Sequence, residues 1–486
     1  MWGVRVTATV LFALAGVVLA VGARAQEGQA VEIGTRRELF VDHALIEKLD
    51  GTRLVLHRPR QEGIVLRFDR PWEGPFSGYS TLIQDGRRLR MYYRGLPTAG
   101  SDGSANETTC VAESENGTDF TKPNLGLHEV MGSRENNVIL ANAAPVTHNF
   151  CPFLDTRPGV PADQRYKGLG GIRSSGLIAF ASPDGLRWRR LQDAPVITEG
   201  AFDSQNVPFW SEAEQQYVCY FRTFKRIGDQ GYRWVSRTTS PDFLRWTPPV
   251  EMSFGDAPPE HLYTNQTHPY FRAPHLYIST AARFMPGRQV VGAEEARAIQ
   301  VHPDYFKDTS DAVLITSRGG HRYDRTFLEA FIRPGIGLQN WVSRTNYPAL
   351  NVVRTGDTEM SVYVQQNYGQ PTAHIRRYSL RLDGFASVQA AYAGGEMRTR
   401  PLTFRGKRLL LNFATSAPGG IRVEIQDPAG KPLPGYSLEE AKELIGNEIE
   451  RAASWKGGMD VSALAGRSIR LRFVMKDADL YSMRFE

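Results

Sequence analysis

The chain has 486 residues, of which 41% are hydrophobic, 10% aromatic and 23% charged, which is enough apolar material for a large core and excludes a disordered chain. Its 46 glycines and 29 prolines suit a chain that turns often and argue against a helical bundle. The 58 basic and 52 acidic side chains leave a formal charge of +6 with no long basic run, so no nucleic-acid partner is expected and the charge serves solubility.

Residues 1–25 differ from the rest. Arg5 precedes an apolar run from Val6 to Val21, and Ala23-Arg24-Ala25 has the small-x-small form of a cleavage site, so the segment predicts a secretory signal peptide. The apolar run is short of the ~20 residues of a spanning helix. A secreted or periplasmic protein without a membrane span is therefore expected. Cys110, Cys151 and Cys219 form an odd set without CxxC or His-spaced pairing, which indicates neither a disulfide framework nor a zinc site.

Two short patterns then alternate. Aromatic-rich runs start near residues 79, 151, 207, 267 and 347, and each predicts two strands around a polar turn. Each is followed by a turn motif, best seen in Ser182-Pro183-Asp184-Gly185 with Trp188 and Ser240-Pro241-Asp242-Phe243 with Trp246, with further copies at 111–120, 314–324 and 377–385. Ser and Asp there can bond their own turn backbone while the aromatic folds inward. Five such pairs predict five four-stranded units closed radially, an all-β five-bladed β-propeller over residues 26–394. From 395 to 486 alternating strands predict a C-terminal β-sandwich-like domain. Ser437 through Ile445, with its Ser and following glutamates, predicts the one helical patch of that domain.

In a propeller, side chains just ahead of each inner strand converge on one funnel. Trp72-Glu73, His148-Asn149, Asp203-Ser204-Gln205-Asn206, Glu260 through Asn265 and Glu329 through Arg333 occupy those places. Carboxylates beside aromatics and amides suit glycoside hydrolysis, in which one carboxyl protonates the leaving oxygen and another attacks the anomeric carbon or activates water. The candidate acids are Glu73, Asp203, Glu260 and Glu329; Trp72, Asn149, Asn206, Tyr263, Asn265 and Arg333 are the candidate contacts to a carbohydrate substrate. His148, His261 and His268 read as polar lining, since no HxH or HExxH spacing occurs, and neither a metal nor a cofactor is expected.

Met91-Tyr92-Tyr93-Arg94, Ala112-Glu113-Ser114-Glu115-Asn116-Gly117 and Ser182-Pro183-Asp184-Gly185 with Trp188 resemble scaffold motifs of the five-bladed propeller glycosidases of the β-fructofuranosidase and arabinanase/xylosidase group. The resemblance implies three acids from early blades, assigned by position as Glu73 for nucleophile or base, Asp203 for stabiliser and Glu260 for general acid, with Glu329 in reserve. The Trp-x-Asn-Asp-Pro and Arg-Asp-Pro signatures of that group are absent. Two other readings stand beside it: a sialidase-like hydrolase, for which Arg222, Arg283, Arg333 and Arg398 could supply an arginine trio, and a noncatalytic carbohydrate-binding propeller.

Overall fold

The computed structural model describes residues 30–486; the expected signal peptide at 1–25 lies outside the described residues. Five separate antiparallel sheets follow one another along the chain. The first blade runs Gly78–Asp85, Arg88–Gly95, Thr108–Ser114 and Val138–Leu140. The second is Cys151–Leu154, Tyr166–Ile172, Gly176–Ser182 and Arg189–Arg190, and the third Val207–Ser211, Gln216–Ile227, Gln230–Ser240 and Val250–Glu251. In the fourth, His261–Thr264 and Thr267–Tyr270 both pair with Ala273–Met285, which pairs in turn with Thr309–Ser317. Tyr347–Pro348, Glu359–Gln366 and His374–Arg381 make the fifth. The protein is a five-bladed β-propeller.

Its fourth strand in the last blade is not supplied by the chain after residue 385. It is Arg60–Arg67, which pairs with His374–Arg381 and so zips the ring shut with an N-terminal segment. Closure from both ends removes the open edges that a linear array would expose. Blades pack through aromatic clusters: Tyr217, Tyr220 and Phe243 sit in the core between blades two and three and their neighbours, Tyr93 and Tyr363 in that between blades one and five.

The second unit is also built from both ends. Ile46–Asp50 and Thr52–Leu56 pair with Gly395–Thr399 and Ala386–Ala390, so the expected boundary at 394/395 divides a sheet to which residues 38–56 and 386–390 also belong. All eight strands are joined in one hydrogen-bonded network. The cause is the pair of long strands Leu409–Gln426 and Arg470–Phe485, whose register shifts at Asn412/Phe413 and Thr415/Gly420 bend the ladder around its own core.

The helix expected over Ser437–Ile445 is a single turn: Ala441 N–H bonds the Ser437 carbonyl at 3.0 Å, and Leu444 then pairs with Ile421 as a β-bridge. Leu444 is buried in the sheet core, and that burial outweighs the local helical signal. The α-helix that does form is Ala293–Ala298, in the long loop of blade four. No helix among the described residues is long and apolar enough to cross a membrane.

Candidate functional site

The propeller axis is filled by amides. Gln205 Nε2 donates to Thr81 Oγ1 at 2.9 Å, and Gln266 Nε2 donates to Gln205 Oε1 at 2.6 Å and to the Pro348 carbonyl at 2.8 Å. Left-handed backbone recurs at or shortly ahead of the start of each inner strand, at Tyr79 (φ 52°), Asn149 (φ 46°), Phe202 (φ 56°), Gln266 (φ 51°) and Asn346 (φ 60°). Each such non-glycine residue costs on the order of 1–2 kcal/mol. Tyr79 and Asn149 reach a mouth at one end of the axis, whereas Phe202 packs in the core against Phe221, Gln266 belongs to the plug, and Asn346 Nδ2 donates to the Ser310 and Asn340 carbonyls.

The rim of that mouth is a closed circuit of contacts. Arg94 Nη2 donates to Tyr368 Oη at 3.2 Å, Tyr368 meets Tyr305 edge-to-face with centroids 5.5 Å apart, and the Arg344 guanidinium carbon lies 4.9 Å from the Tyr305 ring and 5.7 Å from that of Tyr263. Arg222 lies 4.7 Å over the Tyr263 ring and is ion-paired with Asp203. Asn149 completes the loop, its Nδ2 donating to the Asp203 carbonyl at 3.1 Å and its Oδ1 accepting from Arg94 Nη1 at 3.0 Å. Arg233 adds a fourth guanidinium, 5.2 Å from the Tyr263 ring. Tyr79 and Tyr347 line the floor, Tyr79 lying 4.5 Å beneath Arg94.

Behind Asn149 stands a buried pair. His148 Nδ1 lies 2.8 Å from Glu107 Oε2, and Asn149 Nδ2 lies 3.0 Å from His148 Nε2. The Gly103 N–H also donates to His148 Nδ1 at 3.0 Å, so the ring is held on both nitrogens. Glu107 and His148 thus fix the rotamer of Asn149, which in turn holds Arg94. Tyr263 is the one phenol of the floor and rim whose pKa is lowered: burial pushes it up, but the guanidinium groups of Arg344, Arg222 and Arg233 outweigh burial and bring it below its ordinary value.

Of the four expected acids, the mouth receives Asp203. Glu73 is 1% exposed and saturated within its own blade, accepting from Tyr93 Oη at 2.6 Å, the Arg70 N–H at 3.0 Å and Lys122 Nζ at 2.6 Å. Glu260 is clamped on the flank of blade four by Arg283 at 2.8 Å and Arg325 at 2.5 Å. Glu329 is an exposed surface residue. Among the expected contact residues, Asn149 and Tyr263 lie on the rim. Asn206 is buried below it, its Nδ2 donating to the Ser204 carbonyl at 3.2 Å. Asn265 braces backbone, accepting the Thr267 N–H at 3.0 Å; Trp72 is buried against Asn137; Arg333 is exposed.

The arginines of the rim went unrecognised in the sequence except for Arg222. Arg94 follows Tyr92-Tyr93 and Arg222 follows Tyr220-Phe221, each after a run of buried strand residues, and an arginine in that place carries no local mark distinguishing a ligand contact from a packing stem. Arg283 is spent on Glu260 and Asp311, Arg398 on Glu47, and Arg333 is exposed, so of the four arginines expected for a sialidase-like trio the mouth receives Arg222.

No protein-family model matches the chain, and no curated protein matches it. Solved structures share the general shape. One is a glycoside hydrolase, 12% identical over 67% of this chain and 92% of its own, with a TM-score of 0.45. A second is an N-acetylgalactosamine deacetylase from F. plautii in complex with blood group B trisaccharide, 13% identical over 68% and 96% with a TM-score of 0.43. A third is the catalytic domain of an α-L-arabinofuranosidase from Coprinopsis cinerea, 10% identical over 67% and 97% with a TM-score of 0.40. At such distance the architecture stands on the sheet order of this chain itself.

Proposed function

We propose that this protein is a glycoside hydrolase that works outside the cytoplasm and cleaves a glycosidic bond at the propeller mouth. The observation that carries the proposal is the meeting of Asp203, Tyr263 and Arg222: Arg222 touches both the carboxylate and the phenol. Hydrolysis needs one group to attack the anomeric carbon or draw a proton from water and another to protonate the leaving oxygen. Asp203, 29% exposed, takes the first role. Tyr263, with its proton loosened by three guanidinium groups, takes the second. Phe224, 61% exposed beside Arg222, offers a ring face on which a sugar can stack. Export follows from the N-terminal segment at 1–25 and from nothing else.

A screen of aryl glycosides and of plant and algal polysaccharides tests the proposal, with Asp203→Asn and Tyr263→Phe in parallel. Asp203→Asn should lower turnover about a hundredfold or more on the natural glycan. Full activity in that variant would remove Asp203 from the reaction. Activity in neither parent nor variant on any glycan, with sugar binding retained, would make the propeller a binding module.

A further inference from the structure

The four arginines of the mouth share too little negative charge. Among the described residues Asp203 is the only carboxylate ion-paired with any of Arg94, Arg222, Arg233 and Arg344, and it pairs with Arg222 alone. Arg222 is 3% exposed and Arg94 6%. Buried guanidinium N–H groups normally have acceptors; here Arg222 Nε and Nη1, Arg94 Nε and Arg233 Nε have none. The Tyr347 hydroxyl and Thr264 Oγ1, both lining the floor of the same mouth, are likewise buried without partners. Arg94 spends its remaining N–H groups on neutral acceptors, Asn149 Oδ1, Tyr368 Oη and the Phe76 carbonyl at 2.9 Å. Arg344 Nη1 reaches Tyr305 Oη at 3.4 Å. Tyrosine ring faces offset part of the repulsion among these cations, but they accept none of the orphaned N–H groups.

Two other arginines of the propeller are each matched with two acids: Arg318 is bonded to both Glu38 and Asp42, and Arg283 to both Glu260 and Asp311. At the mouth four guanidinium groups share one carboxylate.

We infer that the mouth is built to hold an oxyanion against the Tyr79, Tyr263 and Tyr347 surfaces, so that the glycan bound there is acidic and places a carboxylate, or an equivalent phosphate or sulfate group, among Arg94, Arg222, Arg233 and Arg344. Planar guanidinium groups from different blades suit a group with several acceptor oxygens. The inference rests on the mouth being the sugar site of the proposed hydrolase, but it concerns what binds there and not which bond breaks.

Calorimetric titration of the full chain with tri-galacturonate, with its methyl ester, and with inorganic phosphate or sulfate alone is the test. The free acid should bind at least about tenfold more tightly than the uncharged ester, and its affinity should fall as salt is added. Arg344→Met should weaken binding of the acid by roughly tenfold or more and leave the ester unchanged, whereas Arg344→Lys should retain part of the gain. Because Arg344 pairs with no carboxylate in the protein, loss of folding is not the expected result, and circular dichroism of both variants checks it. Phosphate or sulfate that binds and competes with the uronate marks one shared oxyanion place on the glycan. Phosphate that binds where the uronate does not identifies the free ion as the source, and the oxyanion site still stands. Equal binding of acid and ester, with neither phosphate nor sulfate bound, overturns the inference. Uronate binding without cleavage of any glycan would sink the hydrolase proposal and spare this one; cleavage of neutral glycans with KM unmoved in Arg344→Met would do the reverse.

Discussion

Tyr263 reports on its surroundings more directly than any other side chain of the mouth. Its phenol sits 4.7 Å from Arg222, 5.2 Å from Arg233 and 5.7 Å from Arg344, and their field favours the phenolate. Spectrophotometric titration should show one tyrosine ionising below the ordinary value of about 10, absent in Tyr263→Phe and moved upward in Arg344→Met. Since the native state gives up this proton more readily than the unfolded chain, the phenol adds stability as pH rises through its lowered value, in full above the unfolded value near 10. The same scale shows why the site was only partly legible. Asp203 announced itself because a polar Asp-Ser-Gln-Asn run ahead of a buried strand needs partners. Glu73 and Glu260 carried the same kind of signal and proved to be satisfied by Lys122 and by two arginines. Whether a carboxylate is taken up internally depends on residues 49 and 65 positions away, which local spacing does not reveal.

At the scale of elements, the repeated turn is the part of the fold that the sequence showed best. Ser182 Oγ accepts the Gly185 N–H at 2.9 Å, Asp184 Oδ1 accepts those of Leu186 and Arg187 at 2.8 Å, and Trp188 Nε1 donates to the Gly185 carbonyl at 3.1 Å. Ser240, Asp242, Phe243 and Trp246 repeat every one of these bonds in blade three, and Ser114 with Asn116 repeats the turn in blade one. The third position is left-handed each time, at Gly117 (φ 75°), Gly185 (φ 76°) and Phe243 (φ 70°). Phe243 bears the strain because its ring is buried between Phe153, Tyr217 and Trp246. Phe243→Gly should relieve about 1 kcal/mol of backbone strain and lose about 3–5 kcal/mol of packing, a net loss visible in the denaturant midpoint. In Asp242 burial raises the carboxyl, but the N–H groups of Arg245 and Leu244 and the Arg245 side chain overcome it and lower the pKa to about 2. A depressed acid of this kind stabilises the fold above its unfolded value near 3.8 and loses that contribution as pH falls toward 2. Asp242→Ala should therefore flatten the acid limb of the stability profile between those values.

For the whole molecule the fifth turn matters most. Asp383 occupies a left-handed position (φ 62°) and is fully buried, accepting from Tyr270 Oη at 2.8 Å in blade four and from Asn412 Nδ2 at 3.0 Å and Ser482 Oγ at 2.6 Å in the C-terminal sheet, with Arg272 at 3.3 Å. What read as a blade turn is a clamp between the two units. Asp383→Ala leaves those donors unmatched and should destabilise the protein by about 3–5 kcal/mol, lowering the melting temperature by scanning calorimetry. Residues 395–486 expressed alone should show no cooperative unfolding, because strands from 38–56 are missing from their sheet; a chain joining 30–56 to 386–486 should recover it. The five inner strands were legible because each carries its own aromatic signature. The partners of Arg60–Arg67 and of residues 38–56 were not, since a strand says nothing of which edge, hundreds of residues away, it will cover.

The N-terminal zipper also decides when folding can finish. Glu62 meets Ser379 across 317 residues, and the sheet around Leu39 closes only once Ser482 is in place, four residues from the end of the chain. Blades one to four pair within themselves, but the ring closes only when His374–Arg381 meets Arg60–Arg67, and the companion sheet only when Arg470–Phe485 is in place. A chain under synthesis thus carries the strands between residues 46 and 67 without their partners until residues 374–399 have been made.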